Sequence, residues 1–181
     1  MPTSGKTKSA GPTNTTTKAK SSRRAEADLS TGFTASRHLA DSLQQVLVDL
    51  IELSLQGKQA HWNIVGHNFR DLHLQLDEIV DAAREHADDI AERLRALFAV
   101  ADGRSETVVA TTTLPPFPAE EQNVATVVDL MTARLVATVD TIRRVHDGVD
   151  REDPSTADIL HTVIDSLEKL AWMVRAENRM V

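Results

Sequence analysis

The amino-acid sequence predicts an all-α protein, a four-helix bundle in which one long crossover joins the second and third helices. Apolar residues recur three, four or seven positions apart over four long segments, which is the period of a helix that buries one face. Residues 99–119 break this pattern and contain a proline-rich run. A connection of this length is typical of helices that are not adjacent antiparallel neighbours. The alternating pattern of a β-strand does not occur.

The first two helices have the most regular apolar pattern. The first spans about residues 34–64 and ends near Gly66. The second starts after Asn68, which is a suitable N-cap, with Asp71 three residues later in a short-chain form of the capping box. It continues for about 30 residues, at the helical period.

The crossover contains residues that end one helix, cap a short helix and form an extended run. Asp102-Gly103 ends the preceding helix, Ser105 can cap one or two helical turns to about Ala110, and residues 114–118 are extended because three of them are proline.

The last two helices follow the crossover. We expect the third over about residues 120–145, with acidic residues in its first turn and Gly148 as its stop. Ser155, with Asp158 three residues on, is the expected cap of the fourth.

Charge is distributed unevenly along the chain, which has a formal net charge of −7. Residues 1–24 carry six basic and no acidic residues, and the remainder carries 20 − 6 = 14 basic against 27 acidic residues. The basic residues of this segment are Lys6, Lys8, Lys18, Lys20, Arg23 and Arg24. Too few large apolar side chains occur before residue 29 to offset the entropy of ordering. We predict a disordered basic tail at 1–28 and one helical domain at 29–181.

Composition also limits the class of protein. The 181 residues include no cysteine, which suits an intracellular protein that needs no disulfides. No apolar run approaches the roughly 18 residues of a membrane span, so we expect no membrane partner and a cytoplasmic location.

Four ligand-type side chains are paired at helical spacing in the second helix. His73 and Asp77 are four residues apart, as are Asp88 and Glu92, so each pair lies on one side of the helix. Asp77 and Asp88 are eleven residues apart, or roughly 16 Å along the axis, too far for one metal ion. If the pairs cooperate, the second must meet the first pair of another copy, with His61 joining His73 and Asp77.

A structural ion-pair network is the alternative interpretation of these five residues. It is disfavoured because buried carboxylates without cations are costly and no lysine or arginine occupies the same stripe. Imidazole with carboxylate suits iron, zinc or manganese, so ligand type alone does not select iron. The Glu-x-x-His pairs of di-iron bundles do not occur in this sequence.

Several residues around these ligands resemble the motif of the Dps family, ferritin-like DNA-binding proteins from starved bacteria. The matching residues are His61-Trp62-Asn63, Gly66, Phe69, Leu72-His73, Asp77, Asp88 and Ala91-Glu92-Arg93. The resemblance implies a shell of twelve ferritin-like four-helix subunits, with a short helix in the crossover. It also implies a ferroxidase that oxidises iron at two-fold interfaces, with hydrogen peroxide or dioxygen as oxidant. His61, His73, Asp77, Asp88 and Glu92 would be the catalytic metal ligands, and Trp62 an aromatic beside the iron site.

An acidic cluster, Asp147, Asp150, Glu152 and Asp153, falls between the expected third and fourth helices. By itself it is a solvated turn. In a twelve-subunit shell it resembles the lining of the three-fold pores, where converging carboxylates would attract Fe²⁺. Arg151 interrupts the cluster, and its positive charge weakens the attraction of the carboxylates for Fe²⁺.

The basic tail has two interpretations. It can simply favour solubility, or it can bind DNA phosphates by counterion release, without sequence preference, and associate the protein with the nucleoid. Two alternatives to a DNA-binding ferroxidase follow: an architectural nucleoid protein whose metal sites only stabilise the dimer, and an iron-storage shell that does not bind DNA.

The remaining histidines are interpreted as non-ligands. Asp158 and His161 have the spacing of a ligand pair but stand alone on the fourth helix, where packing or surface roles are more common. His38, His67, His86 and His146 are placed in the same group, although His86 and His146 could bind adventitious metal.

Overall fold

Five helices and two very short strands make up residues 32–178, the part of the chain that the structure, a computed structural model, describes. The elements are α1 Arg37–Asn63, β1 Ile64–Val65, α2 Phe69–Ala96, α3 Ser105–Thr111, β2 Gln122–Asn123, α4 Val124–Glu152 and α5 Pro154–Ala176. Helix α1 packs against α2 and α4, and α5 packs against α4 and α2. The predicted all-α bundle is therefore confirmed, with the crossover and its short helix α3 between the second and third long helices.

Helices α1 and α2 approach each other closely at Gly57. A Cβ atom at this position would lie 2.7 Å from Cγ2 of the buried Val80, closer than carbon atoms pack. Glycine is unfavourable inside a helix, but here it permits the contact. The contact holds the C-terminal half of α1 against α2, where the first two helices carry His61 and His73.

A buried carboxylate and a buried guanidinium fix the crossover to the bundle. Asp49 of α1 is 0% exposed and accepts hydrogen bonds from the backbone N–H of Thr113 at 2.8 Å and from its hydroxyl at 2.6 Å. Arg134 of α4 donates to the carbonyl of Pro116 at 2.8 Å and to Oε1 of Gln56 at 2.8 Å. These bonds satisfy backbone groups of a segment that makes no helix.

The short strands were not expected. Ile64 pairs with Gln122 and Val65 with Asn123 in a parallel register, so the end of α1 is tied to the start of α4. Two residues are too few for an alternating pattern, which is why periodicity does not reveal them.

The boundaries of α4 differ from the predicted ones. It begins at Val124, where Oδ1 of Asn123 accepts from the N–H of Thr126 at 3.0 Å, so no acidic residue lies in its first turn. It also continues through Gly148 to Glu152. Gly148 is therefore not the stop of the helix. A Cβ atom there would lie 3.0 Å from Nε2 of His38 on α1, so the position favours a residue without a side chain.

The predicted helix caps are confirmed in part. Asn68 is the N-cap of α2, as expected, whereas α3 begins at Ser105 with Arg104 as its N-cap. Asn68 precedes α2 in the left-handed conformation, with φ of 60°, and its side chain makes no cap hydrogen bond. Helix α5 begins at Pro154 with Asp153 as N-cap, two residues before the expected Ser155 cap, because proline is well suited to the first helical turn.

No helix within residues 32–178 combines the length and the apolar character needed to cross a membrane. The tail predicted for residues 1–28, with its six basic residues, lies outside the described part of the chain.

Candidate metal centre

Three ligand-type side chains converge between α1 and α2. His61 lies in the last turn of α1, and His73 and Asp77 lie one turn apart on α2. Each offers one ligand atom, and these three atoms all lie within 4.8 Å of one another. The convergence follows from the sequence because the i and i+4 positions of a helix share a side, and the close α1–α2 contact brings His61 to it.

The two imidazoles are already oriented by the protein. Their rings stack with centroids 3.6 Å apart, and Nδ1 of His73 lies 3.1 Å from the carbonyl oxygen of His61. A carbonyl only accepts, so His73 carries its proton on Nδ1 and keeps a lone pair on Nε2. Fixing the tautomer through the outer nitrogen is the usual arrangement of a metal-binding histidine.

The third ligand, Asp77, completes this arrangement. Its Oδ2 lies 3.0 Å from Nε2 of His61, and Nδ1 of His61 is buried without a hydrogen-bond partner among the described residues. An unpaired buried nitrogen is uncommon in a site that serves only packing. Two imidazoles and a carboxylate are a suitable donor set for a divalent ion such as Fe²⁺.

A lysine from the neighbouring helix also reaches this site. Nζ of Lys58 lies 2.5 Å from Oδ1 of Asp77. The expectation that no lysine or arginine occupies the stripe on α2 is wrong, because Arg84 lies seven residues after Asp77 and four before Asp88, on the same side of the helix. Lys58 approaches from α1, one turn before His61. The hydrogen bond from Lys58 and a smaller one from His61 outweigh partial burial and hold the pKa of Asp77 below its usual value. The carboxylate is therefore ionised and able to bind a cation.

Asp88 and Glu92 are not part of this cluster. Both are exposed on α2, and neither joins a group of three ligands within residues 32–178. Trp62, the residue after His61, is 71% exposed, so it does not pack in the core of its own subunit. One chain thus presents a three-ligand group and a separate carboxylate pair.

The acidic cluster does not form a turn between helices. Asp147, Asp150 and Glu152 belong to the last turns of α4, and only Asp153 lies between α4 and α5. Asp153 is buried, accepts from Arg93 at 2.6 Å and from the hydroxyl of Thr156 at 2.5 Å.

Glu152 also makes hydrogen bonds within the subunit. Its two carboxylate oxygens accept from the N–H of Ser36 at 2.8 Å and from its hydroxyl at 2.7 Å, so this carboxylate supports the start of α1. Asp147 and Asp150 remain exposed on α4. Two of the four predicted pore residues therefore serve structural contacts within the subunit.

A bundle of four long helices with one crossover and a histidine–carboxylate cluster between the first two helices defines the ferritin-like class. The ferritin-like domain family matches residues 40–179.

Comparison with known relatives identifies one family within the ferritin-like class. DNA protection during starvation protein 2 of Deinococcus radiodurans is 36% identical, over 75% of this chain and 56% of its own length. The fine tangled pili major subunit of Haemophilus ducreyi is 38% identical, over 78% of this chain and 76% of its own. Among solved structures, Dps92 from Deinococcus radiodurans superposes with a TM-score of 0.75 at 35% identity, covering 77% of this chain and 84% of that one. The chain belongs to the Dps family.

Proposed function

We propose that this protein is a ferroxidase and iron-storage shell whose catalytic sites are shared between subunits, and that it shields DNA through its basic tail. Twelve subunits would form the shell, as the family resemblance implies. The observation that carries the proposal is that His61, His73 and Asp77 converge while Asp88 and Glu92 stand apart on the same helix. Each chain then supplies two incomplete halves of a site.

A two-fold contact between antiparallel copies of α2 would complete these halves. The carboxylate pair of one subunit would face the three-ligand group of its mate, and the symmetry would repeat the site twice at each interface. The exposure of Asp88, Glu92 and Trp62 in the single subunit supports this, because residues of a subunit contact are uncovered in the isolated chain.

The proposed reaction oxidises Fe²⁺ with hydrogen peroxide. Two Fe²⁺ ions each give up one electron, the O–O bond of one peroxide breaks, and two protons complete two waters. Paired one-electron oxidations release no hydroxyl radical. The site's own residues would supply imidazole and carboxylate ligands, of which the anionic carboxylates favour Fe³⁺ over Fe²⁺. The ferric product would mineralise inside the shell.

Co-assembly of complementary variants tests the shared site. His61→Ala/His73→Ala and Asp88→Ala/Glu92→Ala are each expected to lose peroxide-dependent iron oxidation. Reassembled from an equimolar denatured mixture, about half of the dimers would be mixed and each would regain one of two sites, so about a quarter of wild-type activity returns. Oxidation is followed after anaerobic addition of Fe²⁺ and then peroxide.

Two results would overturn parts of the proposal. Wild-type oxidation in both double variants would remove the ferroxidase and favour an architectural protein whose metal sites only stabilise the dimer. Loss in both variants without recovery in a mixture of normal assembly size would place the site within one subunit.

DNA shielding is proposed from the sequence of residues 1–24, which carry six basic residues and no acidic one. Contacts to phosphate need no base-reading element, and several tails on one shell would add avidity. This activity would associate the protein with the nucleoid. Deleting residues 1–24 should abolish salt-sensitive DNA retardation and leave iron oxidation intact. Unchanged retardation would remove the tail from the proposal, and absence of retardation in the full chain would leave a storage shell that does not bind DNA.

The pore proposal now depends on two residues. Asp147 and Asp150 are exposed carboxylates on the last turns of α4, and they could draw Fe²⁺ toward the shell. Glu152 and Asp153 would position this end of α4 instead.

A further inference from the structure

Two histidines that sequence spacing leaves apart meet between α4 and α5. The ring centroids of His146 and His161 are 4.4 Å apart, with an interplanar angle of 35°. They border a small cavity of about 160 Å³ together with Arg143, Asp147 and Ile164. The pair involves none of the residues of the α1–α2 metal centre.

One of the two ring nitrogens of His146 is buried and makes no hydrogen bond within residues 32–178. Its Nδ1 lies 3.4 Å from Oδ1 of Asp147, whereas its Nε2 is buried and has no hydrogen-bond partner within residues 32–178. A carboxylate accepts, so the neutral ring carries its proton on Nδ1 and keeps a lone pair on Nε2. The opposite tautomer would bury an N–H group without an acceptor, which is unfavourable. The ring therefore holds a buried nitrogen lone pair, and the same side chain borders the cavity.

His161 also lies near a carboxylate, but beyond hydrogen-bond distance. Its Nδ1 lies 3.9 Å from Oδ1 of Asp158, one turn earlier on α5. A carboxylate that accepts a hydrogen bond from the outer nitrogen of an imidazole, as Asp147 does from His146, fixes the orientation of the ring, as in many histidine metal sites. In both rings Nδ1 faces a carboxylate and Nε2 is left for a ligand.

Nearby charges are compatible with a cation. Arg143, the cationic side chain at the cavity, is paired with Glu168 and so is largely neutralised. Asp147 and Asp158 add negative charge at the two outer nitrogens. Two imidazole nitrogens bound to one Zn²⁺ lie within roughly 4 Å of each other, because each Zn–N bond is about 2.0–2.1 Å. The 4.4 Å between the ring centroids places both side chains within reach of one ion once the His161 ring has rotated.

We propose that His146 and His161 form a second divalent-cation site, specific for a borderline transition ion such as Zn²⁺. Nε2 of each ring would bind the ion, and water would fill the remaining positions. His161 is 60% exposed and can rotate to direct its nitrogen inward, whereas the less exposed His146 provides the fixed ligand. Hard cations such as Mg²⁺ and Ca²⁺ would bind poorly, because neither ring offers oxygen.

Zinc binding by the full-length chain tests the site. The His61→Ala/His73→Ala background removes the α1–α2 centre, and equilibrium dialysis against Zn²⁺ alone then measures what remains. We expect about one Zn²⁺ per chain in this background, with at least a ten-fold loss of affinity on adding His161→Gln or His146→Gln. Adding His67→Gln, an exposed histidine elsewhere, should change nothing.

His161→Gln is the safer variant for folding, because this side chain is mostly exposed. Helix content and assembly size should match those of the background. The proposal is overturned if zinc affinity is unchanged in both variants, or if the background binds no zinc. It is also overturned if excess Mg²⁺ displaces the bound Zn²⁺, since that would indicate a carboxylate site.

Discussion

Nζ of Lys58 lies 2.5 Å from Oδ1 of Asp77, so an ammonium group holds one oxygen of a carboxylate whose other oxygen faces His61. The pair orients Asp77 and neutralises part of its charge before any cation arrives. A divalent cation bound beside His61 must tolerate this positive charge, and its affinity is set partly by Lys58.

Replacing Lys58 with methionine keeps the length of the side chain and removes its charge. We expect Lys58→Met to bind Fe²⁺ about two- to five-fold more tightly, because a partly exposed ion pair contributes up to about 1 kcal/mol. Anaerobic Fe²⁺ titration measures this, with Lys169→Met, an exposed lysine on α5, as the matched control. Weaker binding in Lys58→Met would mean that orientation of Asp77 dominates over charge.

Asp49 should be essential for the crossover. Asp49→Ala would leave the N–H and hydroxyl of Thr113 without their buried acceptor, at a cost of about 2–4 kcal/mol in the free energy of unfolding. Asp41→Ala on the exposed side of α1 is the control and should cost less than about 0.5 kcal/mol. Urea unfolding, followed by the loss of helix content, measures the free energy of unfolding of each variant. Equal effects in the two variants would contradict the role of Asp49.

The contact at Gly57 predicts an unusual response to alanine. Alanine normally stabilises a helix by about 1 kcal/mol relative to glycine, but the added Cβ would clash with Val80. Overpacking costs about 1–3 kcal/mol, so Gly57→Ala should lower the thermal midpoint. Gly32→Ala, where the Cβ meets nothing within 4 Å, should not. A higher midpoint in Gly57→Ala would show that α1 and α2 separate easily.

Asp153 should contribute a pH-dependent part of stability. Burial raises the pKa of this carboxyl, but hydrogen bonds from Thr156 and Arg93 outweigh it, and the folded-state pKa lies below the ordinary 3.8. The contribution is therefore complete above about pH 4 and is lost as pH falls further.

Asp153→Asn tests this dependence. At pH 7 it should cost about 1–3 kcal/mol, because Arg93 loses its anionic partner. The difference from wild type should shrink as pH falls below about 4, measured by urea unfolding at each pH. The exposed Asp165→Asn should show no such trend. A difference that does not vary with pH would contradict the role assigned to the ionised carboxylate.

Asp147 and Asp150 should affect iron uptake more than oxidation. In Asp147→Asn/Asp150→Asn, Fe²⁺ uptake should be several-fold slower at low ionic strength and less sensitive to salt, because fewer charges attract the ion. Asp140→Asn, also exposed on α4, is the control. Uptake kinetics by stopped-flow absorbance provide the measurement, and an unchanged salt dependence would exclude these carboxylates from the pore.

The sequence alone determined the helical class, the crossover and the placement of His73 and Asp77 on one side of α2. These follow from short-range rules: apolar period gives the helices, and i, i+4 spacing places His73 beside Asp77. The helix boundaries were less well determined where a residue contacts another helix that is distant in sequence. Gly148 looks like a helix stop, yet it lies inside α4, where a Cβ atom would crowd His38 on α1.

Tertiary structure alone decided which side chains from different helices meet. Lys58 pairs with Asp77, Arg93 withdraws Asp153 from the acidic cluster, and His146 meets His161, because packing sets the rotation of each helix about its axis. Helical periodicity shows which face of a helix is buried, but it does not show which residue of another helix lies opposite. That relation depends on crossing geometry, which small contacts such as Gly57 against Val80 determine.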